Sequence, residues 1–169
     1  MKKGFTIVEL LMVVTVIAVL LGIVTTAATA SMRAARERRA QAMRSILEGG
    51  IAVYHRQNDE WPGVIETLAA NGQSRNLSSS EYDNVVKELL KQSSGAEGSN
   101  PVMDPTGLMV MKAGSPDGKT IGVDYRTALT ELNMKDASQF TIVYPISDTG
   151  KAKRFTIHYE AASDSATVK

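Results

Sequence analysis

The chain contains no cysteine. That excludes disulfide staples and thiolate metal sites, and it leaves the compartment open, because a chain without thiols is at home in any redox environment. Aromatic residues are scarce at 5%, and histidine occurs only twice, at His55 and His158. Neither histidine has a local carboxylate or cysteine arrangement at ligand spacing, so both read as surface or edge residues rather than metal ligands. Patterns for a nucleophile elbow, a phosphate-binding loop or a dinucleotide fold are also missing, so the chain does not read as an enzyme. Proline is absent before Pro62. Charge is absent from Leu10 to Met32, a run of 23 residues, which exceeds the roughly 20 needed to cross a bilayer as a helix.

The charge that is present is unevenly placed. The net value of +1 is the sum of +1 over residues 1–30, +3 over 31–49 and −3 over 50–169. The positive middle comes from Arg33, Arg36, Arg38, Arg39 and Arg44, offset by Glu37 and Glu48. No basic face dominates the remainder, so no nucleic-acid partner is expected. The arginines lie just outside the apolar run, where a solvated face, lipid headgroups or acidic surfaces of neighbouring subunits would suit them.

The N-terminus reads MKKGFTIVELLMVVTVIAVL. Glu9 sits inside an apolar run, and a charge at bilayer depth costs a few kcal/mol and is usually functional. Three readings meet here. Lys2, Lys3, the apolar core and Ala28-Thr29-Ala30 before Ser31 match a secretory signal peptide cut after Ala30, which would release a soluble binding protein or enzyme. The apolar region is long for that role, and Glu9 weakens its start. A plain membrane anchor is the second reading, but its orientation is ambiguous, with basic residues on both flanks. The third reading accounts for Glu9 and Gly4 together. The stretch resembles the N-terminus of type IV pilins and of type II secretion pseudopilins: a short basic leader ending in glycine, then phenylalanine, a glutamate four residues on, and an apolar helix. The match covers residues 2 to about 25.

The resemblance implies cleavage between Gly4 and Phe5 by a prepilin peptidase, which also methylates the new amine of Phe5. It implies that Phe5 and Glu9 serve assembly. On a helix these two positions share a face. Glu9 of one subunit would meet the Phe5 amine of the next, fixing register, since an unpartnered buried charge is strongly disfavoured. Loss of Lys2 and Lys3 takes the formal charge from +1 to −1. The expected partners are further copies in a helical filament, the inner membrane, the peptidase and, indirectly, a platform protein and an assembly ATPase. The expected location is the inner membrane, single-pass, with the C-terminal domain periplasmic. Glu9 argues against the tip-type pseudopilin that lacks this glutamate, and the missing cysteine pair argues against the disulfide-looped major pilins, which favours a secretion pseudopilus over a surface pilus.

The expected fold is α+β: a long N-terminal helix on a small antiparallel sheet. The expected divisions are a leader over 1–4, an assembly helix over 5–30, the helix's outer half over 31–57 and a globular domain over 58–169. Met43, Leu47, Ile51 and Tyr54 recur at helical spacing. From Phe5 to Tyr54 a straight helix would run roughly 75 Å. Gly22 is a place for bending or local unwinding, and Gly49-Gly50 for a kink or close packing. Tyr54 and Trp61 read as domain core. Short helices are predicted at 64–70, 80–92 and 126–134, the second opened by Ser78-x-x-Glu81, with a loop over 93–101. Strands are predicted at 108–111 and 120–125, then a hairpin of 139–146 with 154–160, then a frayed tail over 161–169. No cofactor is required. Because the resemblance implies a calcium site in some major pseudopilins, Asp104, Asp117 and Asp124 are calcium candidates, with turn formation as the alternative role.

Overall fold

In the computed structural model residues 6–93, 101–131, 136–147 and 149–169 are described. The chain divides into two compact units, Met1–Arg38 and Arg39–Lys169. One helix, α1 (Ile7–Asn58), contributes to both.

In the first unit α1 is helical through Gly22, so the expected unwinding does not occur. The hydroxyls of Thr25 and Thr26 donate to the Gly22 carbonyl at 3.0 and 3.4 Å. Thr15 and Thr29 likewise donate to carbonyls one turn back. Each threonine hydroxyl in the apolar run is thereby satisfied within its own helix, as a lipid-facing segment requires.

The second unit is an α+β domain. Its elements are the outer part of α1, α2 (Val64–Ala70), β1 (Arg75–Asn76), α3 (Ser79–Ser93), β2 (Met109–Lys112), β3 (Val123–Asp124), α4 (Tyr125–Thr130), β4 (Phe140–Pro145), β5 (Ala152–Arg154), β6 (Ile157–Glu160) and β7 (Ser165–Val168). The strands form two small antiparallel sheets, ordered β3-β2-β4-β5 and β1-β6-β7. Met43, Leu47, Gly50 and Ile51 form the buried stripe of α1. Gly50 does allow close packing: a Cβ there would lie 3.1 Å from Met103 Sδ. Tyr82, Val85, Val86, Leu89 and Leu90 form the buried stripe of α3. These join Phe140, Ile142, Ile157 and Tyr159 in one core, where each fully buried large apolar side chain contributes about 1.5–3 kcal/mol.

The start of α3 follows the predicted capping box. The Ser78 backbone N–H donates to Glu81 Oε2 at 2.8 Å, and Glu81 N–H lies 3.5 Å from Ser78 Oγ. Arg75 adds two bonds to the same carboxylate, at 2.8 and 2.6 Å.

The C-terminal third differs from expectation. The segment 154–160 is not one strand paired with 139–146. The hairpin partner of β4 is β5, in the register Val143↔Arg154, Tyr144↔Lys153, Pro145↔Ala152. After Phe155 and Thr156 the chain changes sheets, and β6 pairs with β1 and β7. Residues 165–168 are not a frayed tail but the strand β7. Val168 is buried, and its N–H donates to Glu48 Oε1 of α1 at 2.8 Å. That bond covers part of a sheet edge that would otherwise offer unpaired backbone groups. The predicted strand 120–125 shrinks to β3 and one bridge, Ile121↔Lys151. The helix expected over 126–134 is α4, with 132–134 outside the described residues, as are 94–100 of the expected loop.

Candidate functional site: the polar turn that opens the apolar helix

Glu9 lies in the first turn of α1. Its Oε2 accepts the Thr6 backbone N–H and the Thr6 hydroxyl, both at 2.8 Å, while Glu9 N–H donates to Thr6 Oγ at 3.3 Å. This is a capping box: the side chain at the helix entrance and the acid three residues later satisfy each other's backbone donors. The acid also stands at the positive end of the helix dipole. Thr6 is thus a site residue that the sequence reading missed. The signal was there, since Thr6-x-x-Glu9 has the spacing that identified Ser78 and Glu81. Gly4 and Phe5 lie outside the described residues.

Beyond this turn, as far as Val24, the helix surface is almost wholly apolar. From Ile7 to Val24 the large apolar side chains are exposed, from 48% at Val13 to 83% at Ile7. The length and composition suffice to cross a membrane, with none of the most apolar window buried. So the segment from Thr6 to Val24 presents one carboxylate on a turn that holds it, followed by a long unpartnered apolar stretch.

The calcium candidates do not come together. Asp104 caps a turn, accepting the Thr106 N–H at 2.9 Å and its hydroxyl at 2.7 Å. Asp124 pairs with Arg39. Asp117 pairs with Arg154. Among the described residues no three histidine, cysteine or acidic groups gather to hold a metal ion.

Arg154 is a buried positive charge in the second unit. It is 6% exposed. Its Nε and Nη2 donate to Asp83 of α3 at 2.6 and 2.8 Å, and its Nη1 donates to the Ser115 carbonyl and to Asp117. The guanidinium cross-links α3, the 113–118 loop and β5. Burial pushes the Asp83 carboxyl up, but the bonds from Arg154 and the Gly114 N–H oppose it, and the value is lowered. The adjoining cleft is lined by Ser79, Ser80, Gly114 and Pro116 among others. With both carboxylates already paired to one guanidinium, this cluster has the chemistry of a structural clamp.

Among the described residues neither histidine belongs to a cluster of metal-ligand side chains. His55 stacks on Trp61 with ring centroids 3.9 Å apart. Trp61 is buried and Tyr54 packs against the core, as expected. Trp61 Nε1–H and Tyr159 O–H both donate to Asp164 Oδ1, at 3.0 and 2.7 Å. Burial first, then this bond, pushes the Tyr159 hydroxyl up to about 12. His158 Nδ1 lies 2.9 Å from Asn76 Oδ1.

Residues 1–25 match the family model of the prokaryotic N-terminal methylation motif. This is the prepilin-cleavage signature of type IV pilins and pseudopilins. The match supports processing by a prepilin peptidase, and the motif is one of structural subunits rather than catalysts. The long helix followed by a small antiparallel sheet region fits the same class. No curated protein and no solved structure matches the chain.

Proposed function

We propose that this chain is a filament subunit of a type II secretion pseudopilus. It is inserted in the inner membrane with its second unit periplasmic, cut between Gly4 and Phe5, methylated on Phe5, and polymerised through its apolar helix. The observation that carries the reading is the methylation motif lying directly on the unpartnered apolar rod. Parallel packing of such rods buries what an isolated copy exposes, and exposed apolar patches of this size mark interaction surfaces. Glu9 supplies register by meeting the Phe5 amine of a neighbour, exchanging its bonds to Thr6 for a charge partner. The absence of cysteine supports a pseudopilus over a disulfide-looped pilus subunit. A platform protein and an assembly ATPase complete the machinery in this reading.

Mass spectrometry of the mature chain tests it. The expected N-terminus is methylated Phe5. A chain starting at Ser31 would mean signal-peptide release, and one starting at Met1 a plain anchor. Replacing Glu9 with Leu is expected to leave insertion and cleavage intact while reducing pelletable filament at least tenfold. Normal filaments from that variant would remove Glu9 from the register.

A further inference from the structure

The far end of the β3-β2-β4-β5 sheet carries an unusual ladder. The β4–β5 register pairs Tyr144 with Lys153 and Pro145 with Ala152. One step on, Ile146 stands opposite Lys151, whose carbonyl accepts the Ile146 N–H at 2.8 Å. On the other side of Lys151 lies Ile121, joined to it by an isolated antiparallel bridge. Loop 118–121 continues this edge, with Gly118 N–H donating to the Ala152 carbonyl and Ala152 N–H to Thr120. Residues directly opposite one another across antiparallel strands point to the same face. Ile146, Lys151 and Ile121 therefore stand side by side, with Tyr144 and Lys153 in the next row. Ile121 is 61% exposed and Ile146 44%, and both are among the few large apolar side chains exposed outside α1. Lys119, Lys151 and Lys153 are exposed too. Among the described residues no carboxylate stands opposite Lys151 or Lys153.

The opposite chemistry occurs at the C-terminal end of α1. Asp59, Glu60, Glu66 and Glu88 outnumber Arg56 there, for a local balance of −3. Glu60 and Glu66 are exposed, and half-buried Val64 lies between them in sequence. Glu88 and Glu60 both face Tyr54, whose hydroxyl is raised first by burial and then by those two charges. Lys87 and Lys91 flank Glu88 on α3, and their charges also reach Asp136. One molecule thus carries an exposed isoleucine–lysine face and an acidic end.

We infer that the Ile121–Lys151–Ile146 face docks on the α1 C-terminal end of a second copy of this chain, in a head-to-tail contact between second units. This rests on the filament reading above. Unlike patches meeting head to tail generate open assemblies, whereas a self-complementary patch closes a dimer. Charge complementarity selects the partner, and the two isoleucines supply apolar area that neither unit buries alone.

A charge swap in the full chain tests the contact, in cells that process and assemble it. Lys151→Glu with Lys153→Glu is expected to cut pelletable filament about tenfold, with processing to Phe5 unchanged. Adding Glu60→Lys and Glu88→Lys is expected to restore it. The chain's freedom from cysteine gives a second readout: Lys151→Cys combined with Glu60→Cys should yield a ladder of oxidised oligomers from assembled material, and either cysteine alone should not. The docking is overturned if the lysine reversal leaves filament unchanged. It is equally overturned if the swap fails to restore filament, or if filaments form without a ladder, since the face then meets lipid or another protein. If wild type makes no filament at all, the functional reading fails and the contact with it.

Discussion

Glu81 shows how a few polar atoms set a helix start and a pH response together. Its carboxyl is held at about 2, first by the Arg75 guanidinium and then by the bonds from Ser78. The ordinary value is 4.5, so the folded state prefers the ionised form. The stabilisation is complete above about pH 4.5 and is lost as pH falls through about 2. Both partners are partly exposed, so the pair and its cap are worth about 1 kcal/mol. Glu81→Gln is therefore expected to lower stability by about that amount at pH 7 and by much less at pH 2. Urea melts at the two pH values measure the gap, and an unchanged gap would mean that Glu81 is not the group that titrates. Thr6 and Glu9 repeat the spacing and the bonds of this cap at the head of a very different helix.

At the scale of elements, α1 carries two adjacent glycines with opposite roles. Nothing lies within 4 Å of a Cβ built on Gly49, while one built on Gly50 meets Met103 Sδ at 3.1 Å and Met103 Cβ at 3.3 Å. Gly49→Ala removes backbone freedom from the unfolded chain at no steric cost, so it is expected to stabilise by up to about 1 kcal/mol. Gly50→Leu forces a side chain into a filled site and is expected to destabilise by about 2 kcal/mol. Thermal melts of the two variants should move in opposite directions. The sequence showed the glycine pair but not which member packs, because that depends on Met103, far along the chain. Elements with strong local signals were legible: α1, α2, α3 and the β2 and β4 strands. The errors fell where the deciding partner is remote. The alternation from Arg154 to Glu160 reads as one strand, yet Phe155 and Thr156 carry the chain from one sheet to the other. The small polar residues 161–169 read as a tail, yet Asp164 is held by Trp61 and Tyr159 and Val168 by Glu48. Arg154 drew no notice because its carboxylates lie 71 and 37 residues away.

For the molecule as a whole, the division of buried surface is sharp. Every residue of the core cluster lies between Met43 and Val168, whereas the apolar side chains from Ile7 to Val24 are exposed in an isolated copy. The second unit therefore has what a domain needs to fold alone, and the first has what it needs to associate. A fragment of residues 39–169 is expected to be soluble and to unfold in one cooperative transition. It is expected to sediment as a monomer, because without α1's apolar part the docking of second units is too weak to hold copies together. The full chain is expected to need detergent, lipid or its own filament to stay dispersed. Sedimentation velocity and a thermal melt on the two chains measure both properties. A fragment that aggregates, or melts without a cooperative transition, would show that the apolar helix stabilises the domain. A fragment that polymerises unaided would move the main driving force from the helix to the faces of the domain.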